Sequence, residues 1–350
     1  MSEDRADSLL RAHRRTVIRR WCIIAALTVV ALLAFAESIL VGVMDIGWGD
    51  VFSALQDPSM MDSPSWKVLI QLRTPMAVMA LLVGMLLSLA GAQMQTILGN
   101  PLAEPFTLGV SAAGAFGGAL AIVLHWQIIA QPQLNIALMA WIAALLTSLL
   151  IVGVAILRGA SAETMILLGI ALTFLFQALL ALIQYMSSAE SLQQVVFWQL
   201  GSMTRASWGS NLIMAVVLVV SIPVFSVLGW QLTALRLGDA RAASMGVNVT
   251  RLRIGVLLLV SLMAATTVAF TGIIGFVGLI GPHVARMLVG EDQRFFLPAS
   301  LASGALMMSC AHAVSQLVRP GQVLPIAVVT AIIGVPFFLA ITLTRRRSLW

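Results

Sequence analysis

The sequence has very little charge. Only 10% of its 350 residues are charged, whereas 60% are hydrophobic and the mean hydropathy is +1.01. A soluble domain of this size carries about a quarter charged residues. Long apolar runs, without the roughly ten-residue alternation of a membrane barrel, are typical of helices that satisfy their own backbone in lipid. We therefore predict an all-α polytopic membrane protein.

Residues for metal binding, nucleotide binding or covalent chemistry are also scarce. The only cysteines, Cys22 and Cys310, lie in apolar runs, so neither a disulfide nor a metal site is expected. The single lysine, Lys67, follows Ser-Pro-Ser-Trp, and the sequence has no Gly-x-x-x-x-Gly-Lys-Ser/Thr loop for nucleotide phosphates. We expect no catalytic residue and no cofactor bound by this chain. ATP and Mg²⁺, if used, would bind to a partner.

Ten apolar runs are predicted to cross the bilayer, each close to the roughly 20 residues that a span requires. Their approximate bounds are 21–43, 75–97, 106–125, 135–157, 165–185, 211–228, 254–270, 275–289, 297–317 and 325–343. Between the fifth and sixth, Phe197, Trp198 and Trp208 indicate an interfacial helix. The first run contains Ala34-Phe35-Ala36, which mimics a signal-peptide cleavage site. An uncleaved helix is the favoured interpretation, and cleavage is the alternative.

The basic residues fall on one side of this predicted topology. With a cytoplasmic N-terminus, sixteen of the 20 lie on the inner face. The four on the outer face are Lys67, Arg73, Arg205 and Arg319. The sequence pI near 10.9 therefore reflects membrane orientation and gives no reason to expect nucleic acid. We predict a multi-pass protein of the cell (inner) membrane with both termini cytoplasmic.

The domain organisation follows from these spans. Residues 1–20 form a cytoplasmic basic segment, 21–343 a single ten-helix domain, and 344–350 a cytoplasmic basic tail. Within the domain, 231–253 form a polar cytoplasmic segment.

The predicted spans give no sign of how transport would be driven by an ion gradient. Glu37, His125, His283 and His312 lie near predicted span ends, whereas ion-coupled carriers more often have acidic residues near the midplane. A lone histidine such as His283 is also a poor metal site. Another polypeptide is therefore the expected energy source. An ion-coupled secondary transporter and a passive channel are the alternatives from other functional classes.

The polar segment 231–253 has signals for a short helix. Gly238 and Gly246 bound an alanine-rich stretch, and Asp239 stands where an N-cap would accept the first backbone amides. Gly246 is predicted as the C-cap. The alternative is an amphipathic loop on the lipid headgroups. The alanine-rich surface favours docking into a protein cleft.

Motifs spread over nearly the whole chain resemble those of the FecCD permease family. They are Leu72-Arg73-x-Pro75; Gly91-Ala92-x-x-Gln95 with Asn100-Pro101-Leu102-Ala103-x-Pro105 and Leu108-Gly109; Leu237-Gly238-Asp239-x-x-Ala242 with Met245-Gly246-Val247; Gly275-Phe276-Val277-Gly278-Leu279 with Pro282-His283-x-x-Arg286; Leu297-Pro298; and Leu324-Pro325 with Ile333-Gly334-x-Pro336-Phe337. Each motif is weak alone, but the series in this order is specific.

The resemblance implies the permease fold of a type II ABC importer and a set of partners. These are a second permease subunit (the same chain or a paralogue), two ATP-binding subunits, and a periplasmic or surface-tethered substrate-binding protein. Alternating access driven by ATP would move iron–siderophore, haem or cobalamin. Ferric siderophore is the first choice, with haem or cobalamin as the alternative.

The resemblance also assigns roles to residues. Coupling to the ATP-binding subunits falls to Leu237, Gly238, Asp239, Ala242, Ala243, Met245, Gly246 and Val247. The cytoplasmic gate falls to Asn100, Pro101, Leu102, Ala162 and Glu163, although for Asn100-Pro101 a plain helix stop and turn is the alternative. The fifth and tenth spans would line the pathway, with Gln177, Gln184 and Met186 along or near the fifth.

The sequence departs from the family pattern on the outer face. Met76, His312, Gln316 and Val323 stand where relatives usually have charged residues. Arg73 and Arg319 are therefore expected to form a reduced basic surface for the binding protein.

The stretch 109–118 is rich in small residues. Gly109, Ala112, Ala113, Gly114, Gly117 and Gly118 would allow helices to approach closely and slide. Static close packing is the alternative.

Overall fold

The computed structural model describes residues 3–42, 44, 46–57, 63–158, 161–318 and 322–344. These residues form helices and connecting turns, with no β-strand within the described ranges. The helices are α1 (Glu3–Leu40), α2 (Trp48–Gln56), α3 (Pro64–Val68), α4 (Thr74–Leu98), α5 (Val110–Val123), α6 (Pro132–Arg158), α7 (Ala162–Met186), α8 (Ala189–Gln199), α9 (Trp208–Val227), α10 (Gly229–Leu235), α11 (Asp239–Ser244), α12 (Val249–Thr271), α13 (Val277–Val289), α14 (Gln293–Leu317) and α15 (Ile326–Thr344).

The number of predicted spans is confirmed. Among the described residues, seven helices are long and apolar enough to cross a membrane, and three shorter apolar helices, α5, α13 and part of α15, complete the ten. Their order along the chain matches the predicted runs. We call the end of the bundle that carries α10 and α11 the basic end, since Arg236, Arg241, Arg251, Arg253 and Arg286 belong to it.

The element bounds correct several predictions. α1 begins at Glu3, not near residue 21, because alanine, leucine and arginine in the basic segment are good helix formers. It ends at Leu40, short of the predicted Val43. The third predicted run starts as a 3₁₀ turn, Pro105–Leu108, before α5. α2 and α3 occupy the segment 45–67, which was predicted only to be polar. The predicted interfacial helix is α8.

α4 lies at the centre of the bundle. In the most apolar window of the helical run Pro64–Leu98, of which α4 is the main part, 78% of the residues are buried, compared with 17% in α7. The backbones touch where glycines meet: a Cβ added at Gly91 would overlap the Gly278 carbonyl oxygen of α13, and one at Gly84 would overlap that of Gly304 in α14. Close approach of this kind replaces side-chain interdigitation in membrane bundles.

The small residues after the break also pack closely. A Cβ at Gly117 would meet the Met139 carbonyl oxygen of α6 at 2.5 Å, and one at Gly118 would meet the Trp198 ring of α8 at 2.8 Å. Gly109 has φ +78°, a conformation that suits glycine, and lies against Thr173 of α7. Close packing is therefore present. Whether these helices also slide stays a prediction.

The connection from α4 to α5 turns back into the bundle. Gly99 ends α4 with φ +59°, and the Asn100 side-chain oxygen accepts the Leu102 amide at 2.9 Å. Asn100-Pro101 is thus a helix stop and turn, as the plain alternative predicted. The chain then passes beside Gly278, which Glu104 and Pro105 contact.

Candidate functional site

α11 is a six-residue helix between two glycines at the basic end. Gly238 precedes it with φ +96°, and Gly246 follows it with φ +87°. The Gly246 amide donates to Ala243 and the Val247 amide donates to Ala242, so the last turn is closed by backbone bonds. The predicted short helix and its glycine end are present. In the structure Met245 is the C-cap, and Gly246 is the next residue.

The role predicted for the Asp239 side chain was wrong. Gly238 occupies the N-cap position, and the Asp239 carboxylate does not cap the helix. Instead it receives two hydrogen bonds from the Arg253 guanidinium, at 2.8 and 2.9 Å. Paired N–H donors in one plane match the two carboxylate oxygens, and such bonds are roughly twice as strong as neutral ones. This contact ties the first residue of α11 to α12.

Arg253 also holds the end of α4. Its Nε donates to the Ile97 carbonyl oxygen at 2.8 Å, and its side chain is only 8% exposed. Ile97 lies in the last turn of α4, where carbonyl groups lack helical partners and the helix dipole favours a cation. One buried guanidinium therefore joins α11, α12 and the last turn of α4. Arg253 was predicted only as one of the inner basic residues, and its spacing of 14 from Asp239 gave no signal for this pairing.

A second polar group also holds the last turn of α4. Arg286 of α13 donates to the Gln95 side chain at 2.6 Å, and its Nε lies 3.0 Å from Glu291. Glu291 also pairs with Arg236, directly after α10. The Gln95 amide donates in turn to the Gly278 carbonyl oxygen at 3.3 Å. The last turns of α4 are thus held by two arginines, Arg253 and Arg286.

The eight predicted coupling residues separate into two groups. Ala242 and Val247 are buried and pack α11 against the bundle. The other six are exposed, and Leu237 and Met245 each have 53% of their surface open. Two large apolar side chains beside a short helix offer a surface to a partner. Behind this surface, a cleft of about 680 Å³ is lined by residues of both arginine groups and by Gly99 and Pro101.

The predicted gate residues lie in two segments at this end. Leu102 is 47% exposed, Asn100, Pro101 and Ala162 are half-buried, and Glu163 is exposed in the first turn of α7. A contact that joins the two regions lies beyond these residues, where Leu108 packs against Gly169 of α7.

Glu104 was not predicted as a site residue. It belongs to the connection between α4 and α5, and its Oε2 oxygen is buried without a hydrogen-bond partner in the described part of the chain. Burial raises the pKa of this carboxyl from 4.5 to about 7, although the Phe276 backbone amide donates to it. Phe276 has φ +69°, an unusual conformation for a bulky residue. A titratable group of the α4–α5 connection is therefore buried against the start of α13.

The predicted pathway residues do not share one face. Gln177 is exposed and Gln184 half-buried, and seven residues of separation place them on the same side of α7. Met186 is 74% exposed but lies nearly opposite Gln177, because nine residues turn an α-helix through about two and a half turns. Apolar side chains of α7 and α15 are widely exposed, including Leu167, Phe174, Ile332 and Leu339.

The expectation that Arg73 lies on an exposed basic surface was wrong. Its side chain is buried, and its guanidinium donates to the carbonyl oxygens of Leu40 and Met44, beyond the last turn of α1. The free carbonyl groups at a helix end account for this position. Arg319 lies outside the described residues. Docking of a binding protein stays a prediction, and Arg73 does not provide an exposed contact for it. No group of three or more metal-ligating side chains occurs among the described residues.

Comparison with known proteins agrees with this architecture. The profile of the FecCD transport family matches residues 27–344. An iron chelatin transport system permease of Helicobacter pylori is 37% identical over 78% of this chain and 81% of its own length. A vitamin B12 import permease of Vibrio vulnificus is 35% identical over 88% and 92%. The hemin transport permease of Yersinia pestis is 33% identical over 81% and 85%.

A solved structure shares the fold. It is a metal-chelate type ABC transporter in an inward-facing conformation, with a TM-score of 0.82 and 31% sequence identity over 92% of this chain and 99% of that one. Family profile, relatives and fold agree over most of the chain. The chain therefore belongs to the FecCD transport family and is an ABC importer permease.

Proposed function

We propose that this permease imports a ferric siderophore by alternating access, driven by ATP hydrolysis on two partner subunits. Haem and cobalamin are the alternative cargoes, supported by the relatives that transport them. A second permease subunit would cover the exposed apolar faces of α7 and α15. A periplasmic or surface-tethered binding protein would deliver the chelate. The basic end, with both chain termini, would face the cytoplasm of a cell whose inner membrane holds the complex.

The observation that carries this proposal is the bond path from α11 to α4. The exposed surface formed by Leu237, Ala243 and Met245 suits contact with an ATP-binding subunit. Asp239, two residues after Leu237 of this surface, is held by Arg253, and Arg253 holds Ile97. Ile97 lies three residues before Asn100, the first residue of the proposed gate. A displacement of α11 would therefore pull on the segment that closes the pathway.

ATP and Mg²⁺ would bind to the partner subunits. This chain would contribute only the docking helix, the gate and the pathway. A secondary transporter would need no docking helix of this kind, and its transport would depend on an ion gradient.

Reconstitution tests the proposal. The permease, its ATP-binding subunits and a loaded binding protein are placed in liposomes, and ATP hydrolysis and uptake are measured. Hydrolysis should be stimulated by the loaded binding protein. Gly238→Val should abolish that stimulation, because a β-branched residue cannot adopt φ +96° without strain. Gly153→Ala, in open space on α6, is the matched control. Uptake driven by a proton gradient without ATP would contradict the proposal.

A further inference from the structure

A second large cleft lies at the end of the bundle opposite α11. Its volume is about 930 Å³, within the range of sites for small organic ligands. It is walled by α8, by the turn after α8 and by the residues just before α15, with Ile122 of α5 and Ile136 of α6 on the remaining side. α8 follows α7 after two residues, and Pro325 directly precedes α15. The cleft therefore adjoins the segment that follows α7 and the segment that leads into α15, the two helices that are proposed to line the pathway.

The floor of this cleft is fixed by hydrogen bonds. The Ile326 amide donates to the Gly201 carbonyl oxygen at 3.2 Å, and the Ser202 amide donates to Thr271 at 2.9 Å. Arg205 donates to the carbonyl oxygens of Trp198 and Thr271 at 3.2 and 3.0 Å. These bonds join α8, α12 and α15, so the cleft is already formed in the structure without a ligand. Such preorganisation lowers the cost of binding.

The polar lining of the cleft is rich in neutral groups. Gln193 and Gln194 of α8 and Gln322 before α15 are exposed, and each side-chain amide can both donate and accept. Hydroxyl groups of Ser202 and Thr204 lie beside them. The exposed Phe197 ring adds an apolar surface.

The charges of the lining cancel. Arg205 and Glu190 are the charged residues among those that line the cleft. Burial lowers the pKa of Arg205 to about 10, so the guanidinium keeps its charge at neutral pH. One cation and one anion leave no net charge to balance a highly charged ligand, and an unbalanced charge is costly to desolvate.

We infer that this cleft binds an electrically neutral, amide-rich metal chelate. A ferric tris-hydroxamate fits this class, since three monoanionic hydroxamates balance Fe³⁺, and the amide arms of cobalamin fit it too. A ferric tris-catecholate has three excess negative charges, and haem has two carboxylates. Glu190 would repel both of these anionic ligands, and Arg205 is the one cation of the lining that would attract them. This inference rests on the proposed import function and narrows its cargo.

Binding to the purified full-length permease in nanodiscs tests the inference. The probes are a ferric tris-hydroxamate, cyanocobalamin, a ferric tris-catecholate and haem. One or both neutral probes should bind at least about tenfold more tightly than both anionic ones, and the comparison between the two neutral probes separates siderophore from cobalamin. The double variant Gln193→Leu/Gln194→Leu should weaken neutral-chelate binding by about tenfold, because two amide partners are lost. Gln231→Leu, at the basic end, should leave binding unchanged.

The charge is tested separately. Glu190→Gln should strengthen tris-catecholate binding several-fold and change binding of the neutral probe by less than about twofold. The inference is overturned if an anionic probe binds the wild type most tightly, if no probe binds, or if the double glutamine variant binds as the wild type does. ATP-dependent uptake of an anionic chelate by the assembled transporter would overturn this inference but leave the proposed import function standing.

Discussion

The Asp239–Arg253 pair gives the sharpest test of how this permease is driven. Asp239→Asn removes the negative charge and leaves the buried Arg253 guanidinium with a weaker partner. Charge-assisted hydrogen bonds each contribute about 1.5–3 kcal/mol. The Asp239 side chain is 54% exposed, so water can replace part of the contact. We therefore expect Asp239→Asn to lower the free energy of unfolding by about 1–3 kcal/mol.

The assay is the coupling ratio, the number of chelate molecules imported per ATP hydrolysed in liposomes. If the pair carries motion from α11 to α4, Asp239→Asn should lower this ratio several-fold while ATP hydrolysis continues. Arg253→Lys should give an intermediate ratio, since an ammonium keeps the charge but cannot match both carboxylate oxygens. The charge change Arg294→Gln, at an exposed position of α14, is the control and should leave the ratio unchanged.

A double-mutant cycle separates coupling from plain destabilisation. With Arg253→Gln as the second change, the interaction free energy between the two positions should be about 1–2 kcal/mol in the unfolding equilibrium. The coupling ratio of the double variant should be no lower than that of Arg253→Gln alone. Additive losses in both measurements, or a wild-type ratio in Asp239→Asn, would refute the reasoning.

Three further changes have defined outcomes. Gly91→Ala should destabilise the detergent-solubilised protein by about 1–3 kcal/mol in thermal unfolding, because its Cβ would overlap the Gly278 carbonyl oxygen; Gly255→Ala, in open space, should be close to neutral. Burial raises the pKa of Glu104 from 4.5 to about 7, so the folded state holds a proton that the unfolded state releases, and stability should fall as pH rises from 5 to 8. This fall is at most roughly 3 kcal/mol. Glu104→Gln should flatten it, and a variant with the same pH dependence of stability as the wild type would show that Glu104 is not its cause. Met245→Glu should weaken co-purification with the ATP-binding subunits without lowering the melting temperature, because this side chain is 53% exposed.

Much of the fold could be predicted because hydropathy and charge act along the sequence. Apolar runs identify the ten crossings, since each must bury its backbone polar groups in helices. Gly238 and Gly246 could be predicted as helix boundaries for a similar reason, because a positive φ at a helix end is a local requirement that glycine satisfies. The bounds were less accurate where helices continue into polar segments, as in α1.

The polar contacts between helices could not be predicted because their partners lie far apart in the sequence. Arg253 meets Ile97 across 156 positions, and Arg286 meets Gln95 across 191. Arg73 belongs to a family motif, but the sequence does not show which helix end its guanidinium binds. That partner depends on how α1 and α4 pack. Likewise, Glu104 lies in a turn that returns into the bundle, and the resemblance assigned its neighbours Asn100, Pro101 and Leu102 to the cytoplasmic gate without pointing to Glu104.

The Asp239–Arg253 bond also sets the smallest segment that can be exchanged between related permeases. It closes a loop of 14 positions that begins at α11 and ends inside α12. A chimera that replaces only 237–247 would join a foreign docking helix to a resident arginine and its resident carbonyl partner. A graft that runs from α10 through Arg253 would carry both ends of the bond. Exchanging the ATP-binding subunits that such a permease accepts should therefore require the longer segment.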